Sequence, residues 1–111
     1  MNTDQLIFIE ACTKKGRADE HNAPGDGKNQ YNILVSVFRK FDCEGRMHEL
    51  LGLLNHGQPY VVLWAGAFCL RDYPDAASAA LEKLAQGRGA VAFNAKVTLS
   101  EYRKGHMTFQ F

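Results

Sequence analysis

Residues 60–70 read Tyr60-Val61-Val62-Leu63-Trp64-Ala65-Gly66-Ala67-Phe68-Cys69-Leu70, a run without a charged side chain. Its first five residues have high β-propensity and suit a buried strand. The run is long for such a strand, however, and it contains alanine and glycine, so its length favours a helix. Pro59 stands where the first residue of that helix falls, a position that proline fits. The stretch therefore predicts an interior helix over residues 59–70, apolar around its circumference.

Helical patterns flank this segment on both sides, and turn residues separate them. Asp72 is placed to cap the following helix, with Pro74 in its first turn and Gly87 at its end. Residues 21–29 contain one proline and two glycines and predict a loop. The predicted helices lie near residues 3–19, 30–42, 46–55, 59–70, 73–86 and 90–104.

The two ends of the chain carry weaker signals. Asn2 or Thr3 is placed to cap the first helix, and Gln5 is spaced to return the hydrogen bond. Residues 106–111 alternate apolar and polar side chains, which is compatible with an extended strand or with docking on the last helix.

A length of 111 residues is that of one domain. We expect residues 1–111 to form a single all-α domain of about six helices.

A shift of 30 residues superposes two parts of the sequence. Leu51 falls on Leu81, and Ala65 falls on Ala95. Each part reads as a helix, a glycine-containing turn, and a second helix with a small residue at its centre. This pattern predicts stacked helical hairpins, as in a short α-solenoid. A chance alignment of two hairpins in a small bundle is the alternative.

Composition limits the classes of function. The 13 Lys and Arg residues nearly balance the 12 Asp and Glu residues, which gives no reason to expect a nucleic-acid binder or a polybasic membrane protein. The longest uncharged stretch is too short to span a bilayer as a helix. Three widely spaced cysteines do not form a disulfide framework. They suit a reducing compartment, so we expect a cytoplasmic protein.

No catalytic or metal-binding pattern stands out in the sequence. The four histidines lack the spacing of a helical zinc site, and the cysteines are far apart. Cys43 and His48 are the only candidates for nucleophilic catalysis, and no family-type context surrounds them. We therefore expect neither an enzyme nor a cofactor or metal site, and no small-molecule substrate, nucleic-acid or membrane partner.

Acidic and tyrosine residues cluster at two predicted turns. Asp42, Glu44 and Glu49 surround one turn, and Asp72, Tyr73 and Asp75 surround the next. Alternate turns of stacked hairpins project from the same edge, so the two turns are candidates for one binding rim. Solvated capping acids are the alternative interpretation. The candidate partner-binding residues are Glu44, Glu49, Tyr60, Asp72, Tyr73 and Asp75.

The second half of the chain resembles a known group of proteins. The resemblance lies in Val62–Ala65, in Leu70-Arg71-Asp72-Tyr73-Pro74-Asp75-Ala76, in Leu81–Gly87 and in Val91–Gly105. These stretches are similar to small bacterial HEAT-like helical proteins, some of which resemble immunity proteins of polymorphic or contact-dependent growth-inhibition toxins. The resemblance covers about residues 47–105 and consists mainly of core and turn residues.

The resemblance implies a HEAT-like stack of helical hairpins and an inhibitory function. It implies that the chain binds and neutralises one cognate toxin domain, often a nuclease with a basic active site. Acidic and aromatic residues at the contact surface fit such a partner. The balanced charge departs from the acidic character expected against a nuclease, which leaves open the toxin's chemistry and inhibition away from its active site. The alternative is a helical adaptor or scaffold for another protein partner.

Overall fold

The structure is a computed structural model that describes residues 1–107. This part of the chain is all-α and contains no strand, which confirms the predicted fold class. It holds six α-helices and one 3₁₀ turn: α1 (Thr3–Glu20), α2 (Pro24–Cys43), α3 (His48–Leu51), the 3₁₀ turn (Gly52–Asn55), α4 (Pro59–Cys69), α5 (Pro74–Ala85) and α6 (Ala90–Arg103).

Contacts divide the chain into two compact units, residues 1–49 and residues 50–111. The first unit is built from α1 and α2. The second is built from the 3₁₀ turn and helices α4, α5 and α6. The boundary falls within α3. That residues 1–111 form one domain stays a prediction.

The first unit is a hairpin in which α1 packs against α2. Asn2 caps α1 as predicted: its side chain accepts from the backbone N–H of Gln5, and the Gln5 side chain accepts from the backbone N–H of Asn2. The core of this unit is apolar, because one face of each helix buries its large side chains. The fully or nearly fully buried ones are Phe8, Cys12, Leu34, Phe38 and Phe41.

The predicted loop over residues 21–29 is wrong for most of its length, since α2 begins at Pro24. Pro24 at the first helical position and Asp26 in the first turn both favour the start of a helix. Together they outweigh the unfavourable helix propensity of the two glycines. Gly27 is buried, and a Cβ there would lie 3.2 Å from Asp19 Oδ1. That glycine allows α2 to approach α1 closely, so it serves packing and does not mark a loop.

The second unit is organised around α4. Residues 59–69 form a helix, as their length indicated, with Pro59 in its first turn and Gln58 as its N-cap. Seven of its eleven residues are buried, which explains the lack of charge. Helix α5 packs against α4, and the closest approach is at Gly66. A Cβ on Gly66 would lie 2.9 Å from Leu81 Cγ.

The helix predicted over residues 46–55 is shorter than expected. Helix α3 covers four residues, and a 3₁₀ turn follows from Gly52. Glycine weakens an α-helix at its interior, and 3₁₀ geometry is common where a helix ends. Helix α3 and the 3₁₀ turn precede α4 in the sequence, just as α5 precedes α6. This order agrees with the internal repeat found at a shift of 30 residues.

Helix α6 completes the second unit and packs mainly on α5. Gly89 precedes it with a φ of 91°, and Gly105 follows it with a φ of 73°, both backbone conformations that favour glycine. Ala65 and Ala95, the two small residues matched by the repeat, are 0% exposed. Phe93 is 64% exposed, so this apolar side chain of α6 does not face the core.

Two remaining predictions concern the chain end and membranes. The expectation of a strand or a docked segment at residues 106–111 falls mainly outside the described residues. No helix within residues 1–107 is long and apolar enough to cross a membrane.

Candidate functional site

The turn between α4 and α5 carries three of the predicted partner-binding residues, Asp72, Tyr73 and Asp75. The backbone N–H of Tyr73 donates to the carbonyl of Cys69 at 2.7 Å, and the carbonyl of Tyr73 accepts from Ala77 at 3.0 Å. Tyr73 is therefore the N-cap residue of α5, and its side chain makes no capping hydrogen bond. The prediction that Asp72 caps α5 is wrong, because the proline at the first helical position shifts the cap to residue 73.

Asp72 binds its neighbour Arg71 instead. The Arg71 guanidinium donates from Nε to Oδ1 at 2.9 Å and from Nη2 to Oδ2 at 3.1 Å. These hydrogen bonds lower the pKa of Asp72 below its usual value. The pair is about one-third exposed and nearly neutral overall. Asp72 therefore contributes less negative potential to the turn than its exposure suggests.

Asp75 and Tyr73 complete the surface of this turn. Asp75 is exposed in the first turn of α5, where a carboxylate complements the helix dipole. Its carboxylate has no ion-pair partner within residues 1–107. Tyr73 is half-buried, and its hydroxyl makes no hydrogen bond to any described residue. Among residues 1–107, the turn thus presents one carboxylate without an ion pair and one phenol hydroxyl without a hydrogen bond.

Tyr60 lies at the opposite end of α4 from this turn. It is half-buried in the first turn of the helix, and its backbone N–H donates to the Gln58 side chain at 3.4 Å. Ten residues of helix separate it from Leu70, a rise of about 15 Å. The structure therefore does not bring Tyr60 together with Tyr73.

Glu44 and Glu49 lie in the first unit, around Arg46. Nε and Nη2 of Arg46 donate to the two carboxylate oxygens of Glu49 at 2.5 and 3.0 Å, and Nη1 donates to Glu44 at 2.6 Å. Nη1 also donates to Asp4 at the start of α1, at 2.9 Å. The guanidinium stacks over the Phe41 ring, 4.9 Å from its centre. We call these residues, Asp4, Phe41, Glu44, Arg46 and Glu49, the Arg46 cluster.

The Arg46 cluster fixes the start of α1 against the turn that follows α2. Hydrogen bonds from Arg46, and then from Asn2, lower the pKa of Glu49 to about 2. Hydrogen bonds from Arg46 and Lys40 lower the pKa of Asp4. The Glu49 side chain is only 16% exposed, whereas that of Glu44 is 45% exposed. Glu49 is therefore engaged within its own unit, and Glu44 is the more accessible of the two.

The second unit contains a groove that was not predicted from the sequence. It has a volume of about 670 Å³ and runs between α5 and the segment that joins the 3₁₀ turn to α4. We call it the α5 groove. Its α5 side consists of residues spaced three or four apart, and its opposite side combines leucine, proline and valine with Asn55, His56 and Gly57. The α5 side is formed by Ala76, Ala79, Ala80, Lys83 and Leu84, with Gly87 just beyond.

The alanines of α5 are the sequence signal for this groove. Ala76, Ala77 and Ala80 have the spacing of one apolar helix face, and such a face is expected to pack against the core. Ala77 is 0% exposed, but Ala76 is exposed and Ala80 is half-exposed. This face of α5 carries more alanines than the core covers. Because alanine has no side-chain atoms beyond Cβ, the uncovered alanines leave a shallow apolar channel. The pattern could therefore have indicated a groove.

The two candidates for nucleophilic chemistry, Cys43 and His48, are both exposed, and Cys43 differs in this from the other two cysteines. Cys43 is exposed, whereas Cys12 and Cys69 are buried. Burial raises the pKa of both buried thiols, that of Cys69 to about 12. Within residues 1–107, no group of three or more histidine, cysteine or acidic side chains is arranged to hold a metal ion.

No protein-family model, no curated protein and no solved structure matches this chain.

Proposed function

We propose that this protein binds another protein, and that its partner is a cognate bacterial toxin domain, a nuclease, which it neutralises. The observation that carries this proposal is the α4–α5 turn. Asp75, which has no ion-pair partner within residues 1–107, and Tyr73, whose hydroxyl makes no hydrogen bond to a described residue, lie two residues apart in this turn. A carboxylate and an aromatic side chain at one exposed site suit a basic protein surface.

The two acids of this turn have unequal roles in the proposal. Asp72 already binds Arg71 through two hydrogen bonds, so a basic partner must share or displace that guanidinium. Asp75 has no such competitor within the described residues. We therefore expect Asp75 to contribute more to partner affinity than Asp72. Tyr73 supplies apolar area and a hydrogen-bonding tip with little loss of conformational entropy.

The remaining predicted interface residues are assigned by accessibility. Glu44 is the accessible acid of the Arg46 cluster, and the proposal retains it as a contact. Glu49 is engaged by Arg46 and by Asn2, so its contribution to a partner is through the shape of the turn. Tyr60 remains a separate contact, since it lies at the other end of α4 from Asp72.

A helical adaptor for a different protein partner is the second candidate function. The α5 groove favours it, because an open apolar channel along a helix suits a peptide segment. The identity of the partner distinguishes the two: a toxin domain supports inhibition, and a non-toxic protein supports an adaptor.

Affinity capture from the source organism tests the proposal. The tagged protein is used as bait, and its stoichiometric partner is identified by mass spectrometry and then purified for binding measurements. The interface variant is Asp72→Lys/Asp75→Lys. Its matched control is Glu10→Lys/Glu20→Lys, which makes the same change in net charge at exposed positions of α1.

The two variants should differ in their affinity for the partner. We expect the interface variant to bind at least about tenfold more weakly, since each lost or reversed contact of about 1.4 kcal/mol costs a factor of ten. The control variant should bind like the wild type. Both should keep the wild-type helical circular dichroism spectrum. Equal affinity of a folded interface variant would remove the α4–α5 turn from the proposed interface.

A further inference from the structure

We infer that the α5 groove is a binding site for an amphipathic helical segment of a partner protein, one that carries an acidic side chain at the Lys83 end. This inference goes beyond the proposed function, since it depends on the groove whether or not the partner is a toxin. The groove lies wholly within the second unit and apart from the Asp72 and Asp75 side chains.

The length of the groove fits a helix of about two turns. Its α5 side runs from Ala76 to Leu84, which corresponds to about 12 Å of helix rise. Leu54 and Val62 give its opposite side an apolar surface. A helix with apolar side chains at positions i, i+3 or i+4, and i+7 would bury them along this channel.

The walls of the groove favour a helical ligand over an extended one. An extended peptide leaves its backbone N–H and C=O groups in need of partners, and these are costly to bury without them. The α5 wall of the groove is an α-helix whose backbone groups bond within the helix, so this wall offers few backbone partners. A helix satisfies its backbone internally and presents only side chains. The exposed alanines allow it to approach α5 closely.

Charge at the groove indicates which ligand side chain it would bind. Lys83 is exposed at the edge of the groove and has no acidic partner within residues 1–107. Within the described part of the chain, no acidic residue lines the groove. The carbonyls of Lys83 and Leu84 already accept from the N–H groups of Gln86 and Gly87, so the Lys83 ammonium is not needed at the end of α5.

Because a short turn joins α4 to α5 as an antiparallel hairpin, the segment before α4 faces the end of α5 that carries Lys83, and this segment supplies His56 as a second donor. Its Nδ1 accepts a hydrogen bond from the backbone N–H of Gln58 at 3.0 Å. In the neutral ring the proton is then on Nε2, which can donate to a ligand. Lys83 and His56 together make this end of the groove a region of donors. An aspartate or glutamate of the partner complements it, and a lysine or arginine does not.

Selection from a phage-displayed library of random 12-residue peptides tests the inference on the full chain. Enriched peptides are synthesised, and their dissociation constants are measured by fluorescence polarisation. The groove-filling variant is Ala79→Trp, which places a large side chain at an exposed position on the groove wall. The matched control is Asn94→Trp, at an exposed position of α6 outside the groove. The charge variant is Lys83→Glu.

We expect enriched peptides to combine helix-spaced apolar residues with an acidic residue. Ala79→Trp should weaken their binding at least about tenfold, and Lys83→Glu about fivefold or more, whereas Asn94→Trp leaves it unchanged. The Asp72→Lys/Asp75→Lys variant should also bind them like the wild type, which separates this site from the proposed toxin interface.

Four results would overturn the inference. The enriched peptides could bind Ala79→Trp as tightly as the wild type, or bind Lys83→Glu more tightly. The selection could yield no enriched sequence. Light scattering could show a wild-type dimer that Ala79→Trp dissociates, in which case the groove is occupied by a second copy of this chain.

Discussion

Replacing Gly66 by alanine tests the packing of α4 against α5, on which the second unit depends. The added Cβ would lie 2.9 Å from Leu81 Cγ and 3.0 Å from its Cδ2, and Leu81 is 0% exposed. Because Cγ is the branch point of a buried side chain, the clash requires Leu81 or a helix to move. Such overpacking typically costs about 1–3 kcal/mol, and a severe clash belongs in the upper half of that range.

The helix propensity of alanine offsets part of this cost. Alanine is favoured over glycine in a helix interior by about 1 kcal/mol. We therefore expect a net destabilisation of about 1–2 kcal/mol for Gly66→Ala. Near the melting temperature this corresponds to a decrease of about 4–8 °C per kcal/mol in a small domain. Urea unfolding followed by the fluorescence of Trp64, the single tryptophan of the chain, measures the loss in the unit concerned.

Gly52→Ala is the matched control, because a Cβ at Gly52 meets nothing within 4 Å. It should be neutral or stabilising by up to about 1 kcal/mol. In the Leu81→Ala background, the space left by the leucine accommodates the new methyl group. The double variant should then show a coupling energy of about 1 kcal/mol or more. If Gly66→Ala were as stable as Gly52→Ala, the close approach of α4 to Leu81 would be refuted.

Two further predictions concern ionisable groups. The pKa of Glu49 falls from its ordinary 4.5 to about 2 on folding, so the unfolded chain binds more protons between these values. The free energy of unfolding should therefore decrease as the pH falls from 4.5 toward 2, as measured by urea titrations followed by circular dichroism. Arg46→Met should make this decrease smaller. An identical pH profile of the variant and the wild type would contradict the Arg46 cluster. Iodoacetamide should label Cys43 in the native protein and leave the buried Cys12 and Cys69 unmodified, as read by peptide mass spectrometry, and rapid labelling of either buried thiol would contradict their burial.

Local sequence signals predicted the elements that depend on near neighbours. The uncharged run before Leu70 predicted α4, because a helix buried on all sides needs no polar face. Asn2 and Gln5 predicted the start of α1, since both partners of a capping box are within three residues. These signals need no knowledge of the rest of the chain.

Predictions failed where two local signals competed. Pro24 with two nearby glycines is typical of a loop, yet the same proline fits the first position of a helix. Asp72 is a residue type that often caps helices, but Pro74 at the first helical position makes Tyr73 the N-cap residue. The Asp72 carboxylate accepts a hydrogen bond from Arg71 instead. In both cases packing and the position of the proline decided the outcome.

Contacts between distant residues account for the features that sequence reasoning missed. Asp4 and Arg46 are 42 residues apart, so no local pattern joins them, although the spacing of Glu44, Arg46 and Glu49 indicates an ion-paired turn. The α5 groove depends on which alanines the neighbouring segment fails to cover. That is a property of the packed unit and was visible in the sequence only as an alanine-rich stripe.

Protection of living cells from the captured partner tests the proposed toxin inhibition most directly. The partner is expressed from an inducible promoter in a heterologous bacterial host, with the wild-type protein, the Asp72→Lys/Asp75→Lys variant or the Glu10→Lys/Glu20→Lys control. The account predicts that the partner alone arrests growth, that the wild type and the control restore it, and that the interface variant does not. A partner that is harmless alone, or an arrest that the wild-type protein fails to relieve, would contradict the proposed function.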